Sequence, residues 1–259
     1  MVVVRHRDME KTQKMQVNCR GRLAEVEVIG RGPDVVLVGT AAPMEWTRPA
    51  AEAVAALGFR VTNFDYGSGA EEPELRTALD QTPDVVDVMD AVGIESSVAV
   101  GISRGGMTAF SLAAHHPHRV SRLVLVAPVA GWPDVIESVD PTPESDPEEG
   151  PDAILRQVFS DGFLTSSRDR ALSVLMTPPG SVDRVGREDE EVFPGHLKVD
   201  CPTLIVAGGR DQVVSAAHPQ RYRSEIEGSV IHEVPEASHG WIMEDPDGFA
   251  ALIEPFVRG

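Results

Sequence analysis

Cysteine, basic charge and long hydrophobic runs are all in short supply in this chain. Its two cysteines, Cys19 and Cys201, cannot build a disulfide framework, and both are expected to be reduced packing residues. Lys and Arg number 23 against 41 Asp and Glu, a formal net charge of −18, and no basic stripe is visible. That balance argues against a nucleic-acid partner. No apolar stretch is long enough to span a bilayer, so no membrane partner is expected either. The opening segment MVVVRHRDMEKTQK turns charged after three valines and lacks a signal-like apolar region, which makes a cytoplasmic location the expectation.

What is present is an alternation of two patterns. Residues 15–30, MQVNCRGRLAEVEVIG, alternate apolar and polar around Gly21 and predict an antiparallel hairpin. Short continuous apolar runs follow in VVLVG (35–39), FRVTNFD (59–65), SVAVG (97–101), RLVLVAP (122–128), PTLIVAGG (202–209) and SVIHEVP (229–235). Such runs mark strands buried on both faces. Helical patterns lie between them: RPAAEAVAALG (48–58), stopped by Gly58, and PDVVDVMDAVG (83–93), with Pro83 at its start and Gly93 at its end. A last helix is predicted in DPDGFAALIEPF (245–256), broken near Pro255. The alternation predicts an α/β fold: a doubly wound, mostly parallel sheet entered through an antiparallel hairpin.

One segment breaks the rhythm. Between Pro128 and Pro202 no strand is visible, and WPDVIESVDPTPESDPEEGPD (132–152) carries five prolines and eight acids without a base. It predicts an irregular, solvated loop. Two helical pieces follow, AILRQVFSDGF (153–163) and SRDRALSVLM (167–176). The organisation expected is therefore a flexible extension over 1–14, a core of 15–130 and 202–259, and a small, mainly helical cap over 131–201.

The chemistry centres on GISRGG (101–106), a Gly-x-Ser-x-Gly motif between a predicted strand and a predicted helix. Gly101 and Gly105 remove Cβ atoms where strand and helix must approach, so Ser103 projects at a helix N-terminus that favours developing negative charge. A serine hydroxyl needs a base, and the base needs an orienting partner. Asp211 follows one later strand and His239 the next, in the order Ser, Asp, His. Asp134 is a competing acid, but it lies in the acidic loop.

These motifs resemble those of the α/β-hydrolase superfamily: VVLVGTAAP, GISRGG, GGRDQVV and SHGWIMEDPDGF, the last similar to the family's H-x-x-x-x-E-x-P-x-x-F through His239, Glu244, Pro246 and Phe249. The resemblance implies an α/β-hydrolase fold in which Ser103 is the nucleophile, His239 the general base then acid, and Asp211 its partner. It also implies an oxyanion hole from the backbone N–H of Arg104 and of Thr40 or Ala41. Pocket walls are expected from Met44, Trp46, Met107, Trp132, Phe163 and Trp241. No cofactor and no metal are implied, and the partner is a small molecule, with oligomeric state left open.

Departures from the family pattern are local. Gly39-Thr40-Ala41 replaces the usual His-Gly turn, Asp65-Tyr66-Gly67-Ser68-Gly69 lacks the usual arginine, and Ser215 stands where proline is common. Asp65 is expected to be structural. The histidines at 115, 116 and 118 sit at a helix end and suit its dipole. The Arg104 side chain either points outward, pairs with an acid, or faces the cleft. The activity expected is hydrolysis of an ester or related carbonyl bond through an acyl-enzyme. Carbon–carbon bond hydrolysis and cofactor-free perhydrolysis are close variants, and a ligand-binding, lyase or cyclase relative is the alternative of another class.

Overall fold

The computed structural model describes residues 12–39, 44–65, 77–131, 151–176 and 197–259. Its strands are β1 (Gln13–Cys19), β2 (Arg22–Gly30), β3 (Asp34–Val38), β4 (Arg60–Phe64), β5 (Ser97–Ile102), β6 (Val120–Val126), β7 (Thr203–Gly208) and β8 (Val230–Val234). They form one sheet in the order β1-β2-β4-β3-β5-β6-β7-β8. The pairs β1–β2 and β2–β4 are antiparallel and the remaining pairs are parallel. The hairpin starts at Gln13, inside the segment expected as an extension. Its turn places Arg20 and Gly21 both at positive φ, 55° and 94°, which matches the twist of the flanking strands.

The continuous apolar runs have a direct explanation. In β3, Val36 and Val38 enter one core, while Val35 and Leu37 enter the other; β6 splits likewise into Leu123 and Leu125 against Val124 and Val126. A strand covered by helices on both sides needs apolar residues at every position. One face is covered by α2 (Ala78–Ala91), α3 (Gly105–His115) and α6 (Ala217–Glu225), through residues such as Met89, Phe110 and Tyr222. The other is covered by α1 (Met44–Ala56) and α8 (Pro246–Arg258), through Val54 and Phe249. Each fully buried Val, Leu or Phe contributes roughly 1.5–3 kcal/mol of transfer free energy.

Three helices differ from expectation for one reason. α1 begins at Met44 and contains Pro49, α2 begins at Ala78 and contains Pro83, and α8 runs unbroken through Pro255. A proline inside a helix removes the bond to the carbonyl four residues earlier. Those residues, Glu45, Leu79 and Ala251, are all exposed, so water can serve the carbonyls left behind. α2 is also held by a capping box, in which Thr77 Oγ1 accepts the Asp80 N–H and Asp80 Oδ2 accepts the Thr77 N–H.

Of the segment expected as a cap, the structure describes α4 (Pro151–Val158) and α5 (Asp161–Met176), the latter kinked at Ser167. The break between the two helices falls at Phe159–Ser160 instead of near residue 165. Leu155, Val158, Phe159 and Ala171 form a small apolar cluster that also takes in Met243, from the short helix α7 (Trp241–Glu244) of the core. Both cysteines are free, Cys19 buried and Cys201 half-buried. Among the described residues no helix is long and apolar enough to cross a membrane.

Candidate active site

The GISRGG segment forms the turn between β5 and α3. Ser103 has φ +53°, a left-handed conformation that costs an L-residue about 1–2 kcal/mol. The turn is held from β6: the Ser103 N–H donates to Val126 O at 2.8 Å, and the Val129 N–H donates to Ser103 O at 3.0 Å. The glycines act as steric gaps. A Cβ on Gly101 would lie 2.6 Å from Ala109 Cβ, and one on Gly105 would run into Val38 O and Gly39 O. Helix α3 thus packs directly on the end of β3. From residue 97 to residue 113 every residue is buried except Ser103.

Asp211 and His239 stand in the loops after β7 and β8. His239 Nδ1 lies 2.9 Å from Asp211 Oδ2. Asp211 Oδ1 accepts the N–H groups of Val213 at 2.9 Å and Val214 at 2.8 Å. The pair is nearly dry, with side-chain exposures of 9% for His239 and 3% for Asp211. The two loops are also tied to each other: Gly209 N–H donates to Val234 O, and Arg210 N–H to Ala237 O. A carboxylate so fixed can hold an imidazole with its proton on Nδ1 and Nε2 free to accept another.

Arg104 precedes α3 and is 5% exposed, so its side chain does not point outward. It is engaged within the protein. Thr40 and Ala41 lie outside the described residues, as do Trp132, Asp134 and the loop from Tyr66 to Gly69. The chain resumes at Met44, whose carbonyl accepts from Thr47 Oγ1 at 3.1 Å and from Asn63 Nδ2 at 3.2 Å. Thr47 also donates to Asn63 Oδ1 at 2.6 Å, and Asn63 is wholly buried on β4. This polar clamp anchors Met44, where the described chain resumes. Sequence reasoning missed it, since an asparagine inside an apolar strand run was its only signal.

Of the expected wall residues, Trp46 and Phe163 converge on Phe159, with ring centroids 5.4 and 5.2 Å away respectively. Trp241 packs edge-on against Phe249 at 6.1 Å. Met44 is half-buried at the start of α1. Met107 has no exposed surface and belongs to the core beneath α3, which corrects its placement in a pocket wall. A cavity of about 350 Å³ is bordered by Asp211 together with Gly208, Val214, Gln220 and Glu233. Neither Ser103 nor His239 lines it.

Two further residues support the site from α6. The Ala130 N–H donates to His218 Nδ1 at 2.9 Å, and Tyr222 Oη donates to Val129 O at 2.8 Å. One helical turn apart, they grip the backbone where the chain leaves β6, next to the elbow. Burial pushes the His218 pKa down and the Tyr222 pKa well up, so both stay uncharged at neutral pH. Asp65 Oδ1 accepts the Glu25 N–H and prolongs the β2–β4 pairing, the structural role expected of it. His115 contacts Ser111 O within its own helix. Among the described residues no group of three or more His, Cys, Asp or Glu side chains could hold a metal ion.

A mostly parallel sheet with helices on both faces and a strained serine between strand and helix defines a fold class. Residues 29–252 match the alpha/beta hydrolase family, and the chain belongs to it. It is 25% identical over 229 residues to a candidate carbamate hydrolase (RutD) of Caulobacter sp. (strain K31), covering 78% of this chain and 81% of that one. It is 27% identical over 214 residues to 3-oxoadipate enol-lactonase 1 of Acinetobacter baylyi, covering 77% and 79%. A serine hydrolase of Cycloclasticus zankles has a similar structure, with a TM-score of 0.78 at 18% identity, covering 96% and 99%.

Proposed function

We propose that this chain is a serine hydrolase that cleaves an ester or related carbonyl bond of a small, mostly apolar molecule. The observation that carries the proposal is that Ser103 alone is only partly buried within a buried strand–turn–helix, in strained geometry. Strain of this kind costs stability and persists where the surroundings enforce it, as function requires at an active site.

In this reading Ser103 Oγ attacks the substrate carbonyl carbon while His239 Nε2 takes its proton. Asp211 holds Nδ1–H and stabilises the imidazolium that forms. The backbone N–H groups of Arg104 and of Thr40 or Ala41 receive the oxyanion; each such donor is worth about 2.7–4 kcal/mol in the transition state. His239 then protonates the leaving group, and an acyl-enzyme remains on Ser103. Water, deprotonated by the same nitrogen, releases the acid product and restores the serine. Trp46 and Phe163 supply an apolar wall, and the enol-lactonase among the relatives is consistent with a small ester or lactone substrate.

The test is labelling with a serine-directed fluorophosphonate together with turnover of p-nitrophenyl butyrate. Wild-type protein is expected to do both and Ser103→Ala neither. Wild-type protein that is neither labelled nor active would overturn the hydrolase reading in favour of a binding role. Turnover of a natural substrate that survives Ser103→Ala would favour a lyase or cyclase.

A further inference from the structure

The segment around His239 meets residues 158–160 at two points, Glu244 and Gly240. On one side, Ser238 Oγ donates to Glu244 Oε1 at 2.5 Å. The same carboxylate reaches the cap, where Ser160 N–H donates to Oε1 at 2.8 Å and Ser160 Oγ donates to Oε2 at 2.6 Å. On the other side, the Gly240 N–H donates to Val158 O at 2.7 Å. A Cβ on Gly240 would sit 2.5 Å from the Phe159 ring, so the cap packs directly on this backbone. Residues 158 and 159 therefore touch Gly240 directly, and Ser160 reaches Ser238 through Glu244.

Glu244 is the centre of the grip. Its carboxylate accepts three donations, two from Ser160 and one from Ser238. It also explains the break between α4 and α5: the Ser160 N–H is spent on Glu244 instead of continuing the helix, while Phe159 turns its ring onto Gly240 and Trp46. The local sequence is consistent with this geometry, since Glu244 lies on the one-turn helix that starts directly after Gly240.

We infer that Glu244 is a positioning residue, through which the seating of the cap sets the alignment of His239 toward Ser103. The inference rests on the proposed role of His239 as base. Asp211 fixes the ring from the Nδ1 side; the backbone that carries the ring is tied before it by the Arg210 N–H to Ala237 O and after it by the Gly240 N–H to Val158 O. Lifting residues 158–160 frees Gly240 and strips Glu244 of two of its three donors, so hydrolysis is fastest with these residues seated.

The experiment uses the full chain with Glu244→Ala, Glu244→Gln and Ser160→Ala. Turnover of p-nitrophenyl butyrate is read beside the low-field proton NMR signal of His239 Nδ1–H, assigned with His239→Gln. Misplacing a catalytic group by about 1 Å can cost 100-fold. Glu244→Ala is expected to lower kcat about 10- to 100-fold with KM within about twofold, and to shift or broaden the His239 signal. Glu244→Gln, which keeps one acceptor oxygen, should recover part of both. Ser160→Ala removes only a cap hydroxyl and should change both in the same direction by less; it decides the matter if Glu244→Ala does not fold. A folded variant that keeps both kcat and the His239 signal of the wild type overturns the inference. If the wild type hydrolyses no ester, the His239 signal still decides on the grip, so failure of the proposed function and failure of this inference are told apart.

Discussion

The Asp211 carboxylate faces His239 Nδ1 with one oxygen, at 2.9 Å, and spends the other on the N–H groups of Val213 and Val214. Division of labour follows: one oxygen fixes the carboxylate to its own loop, and the second fixes the tautomer of the ring. In Asp211→Asn the amide oxygen can keep the backbone bonds, leaving an NH₂ group toward Nδ1. The ring must then carry its proton on Nε2 and loses its ability to accept one from Ser103. Ester turnover is expected to fall by about 10⁴ with the thermal midpoint little changed, as steady-state kinetics and calorimetry would show.

Ser103 adopts φ +53° and is the one partly exposed residue between 97 and 113. Replacing it separates strain from chemistry. Ser103→Gly removes the left-handed penalty, partly offset by the larger entropy of glycine in the unfolded chain. It should be more stable than Ser103→Ala by about 1 kcal/mol, measured by urea unfolding, with both variants inactive. Equal stability of the two would mean that the turn stores no strain.

At Gly105 the missing Cβ is a contact requirement, since the added atom would meet backbone oxygens of Val38 and Gly39 that cannot rotate away. Gly105→Ala is expected to cost about 3 kcal/mol or more by denaturant titration. Relief would come from shifting the end of β3, so ester turnover should fall as well.

His218 gives the protein a pH-dependent element of stability. Its Nδ1 accepts the Ala130 N–H, which a proton on that nitrogen would forbid, and burial lowers its pKa from 6.5 while the charge of Asp211 opposes the shift. The unfolded chain therefore binds the proton more readily than the folded one. The stabilisation is complete above about pH 6.5 and is lost as pH falls from there through the lowered folded pKa. Unfolding free energy should decline by at most about 1.4 kcal/mol per pH unit from this group, and His218→Gln should remove that part of the slope.

Much of the fold could be read because burial on both faces leaves a mark at every position. The apolar runs of β3, β5, β6 and β7 admit no other environment, and Gly58 and Gly93, at φ +93° and +73°, end their helices where expected. Pro49, Pro83 and Pro255 misled for the complementary reason. A proline reads as a helix boundary, but its cost depends on whether the orphaned carbonyl faces water, and that is settled by how the helix lies on the sheet. The capping box at Thr77 and Asp80 was readable and was missed. Within the site, the serine, acid and histidine stood out because each follows a strand. Asn63, His218, Tyr222 and the Ser160–Glu244 contact carried no comparable signal, because their partners lie 16 to 93 residues away.

The sequence by itself determined the layered α/β architecture, the strand–turn–helix around Ser103 and the order of the candidate triad. These depend on local patterns: apolar period, glycine spacing and residue type at strand ends. Tertiary structure alone decided that Met107 is core, that Arg104 is buried, and that residues 158–160 lie against Gly240 and Glu244. Those outcomes depend on which surfaces meet across the sheet edge, and side-chain identity along the chain does not encode that meeting until the backbone has brought the segments together.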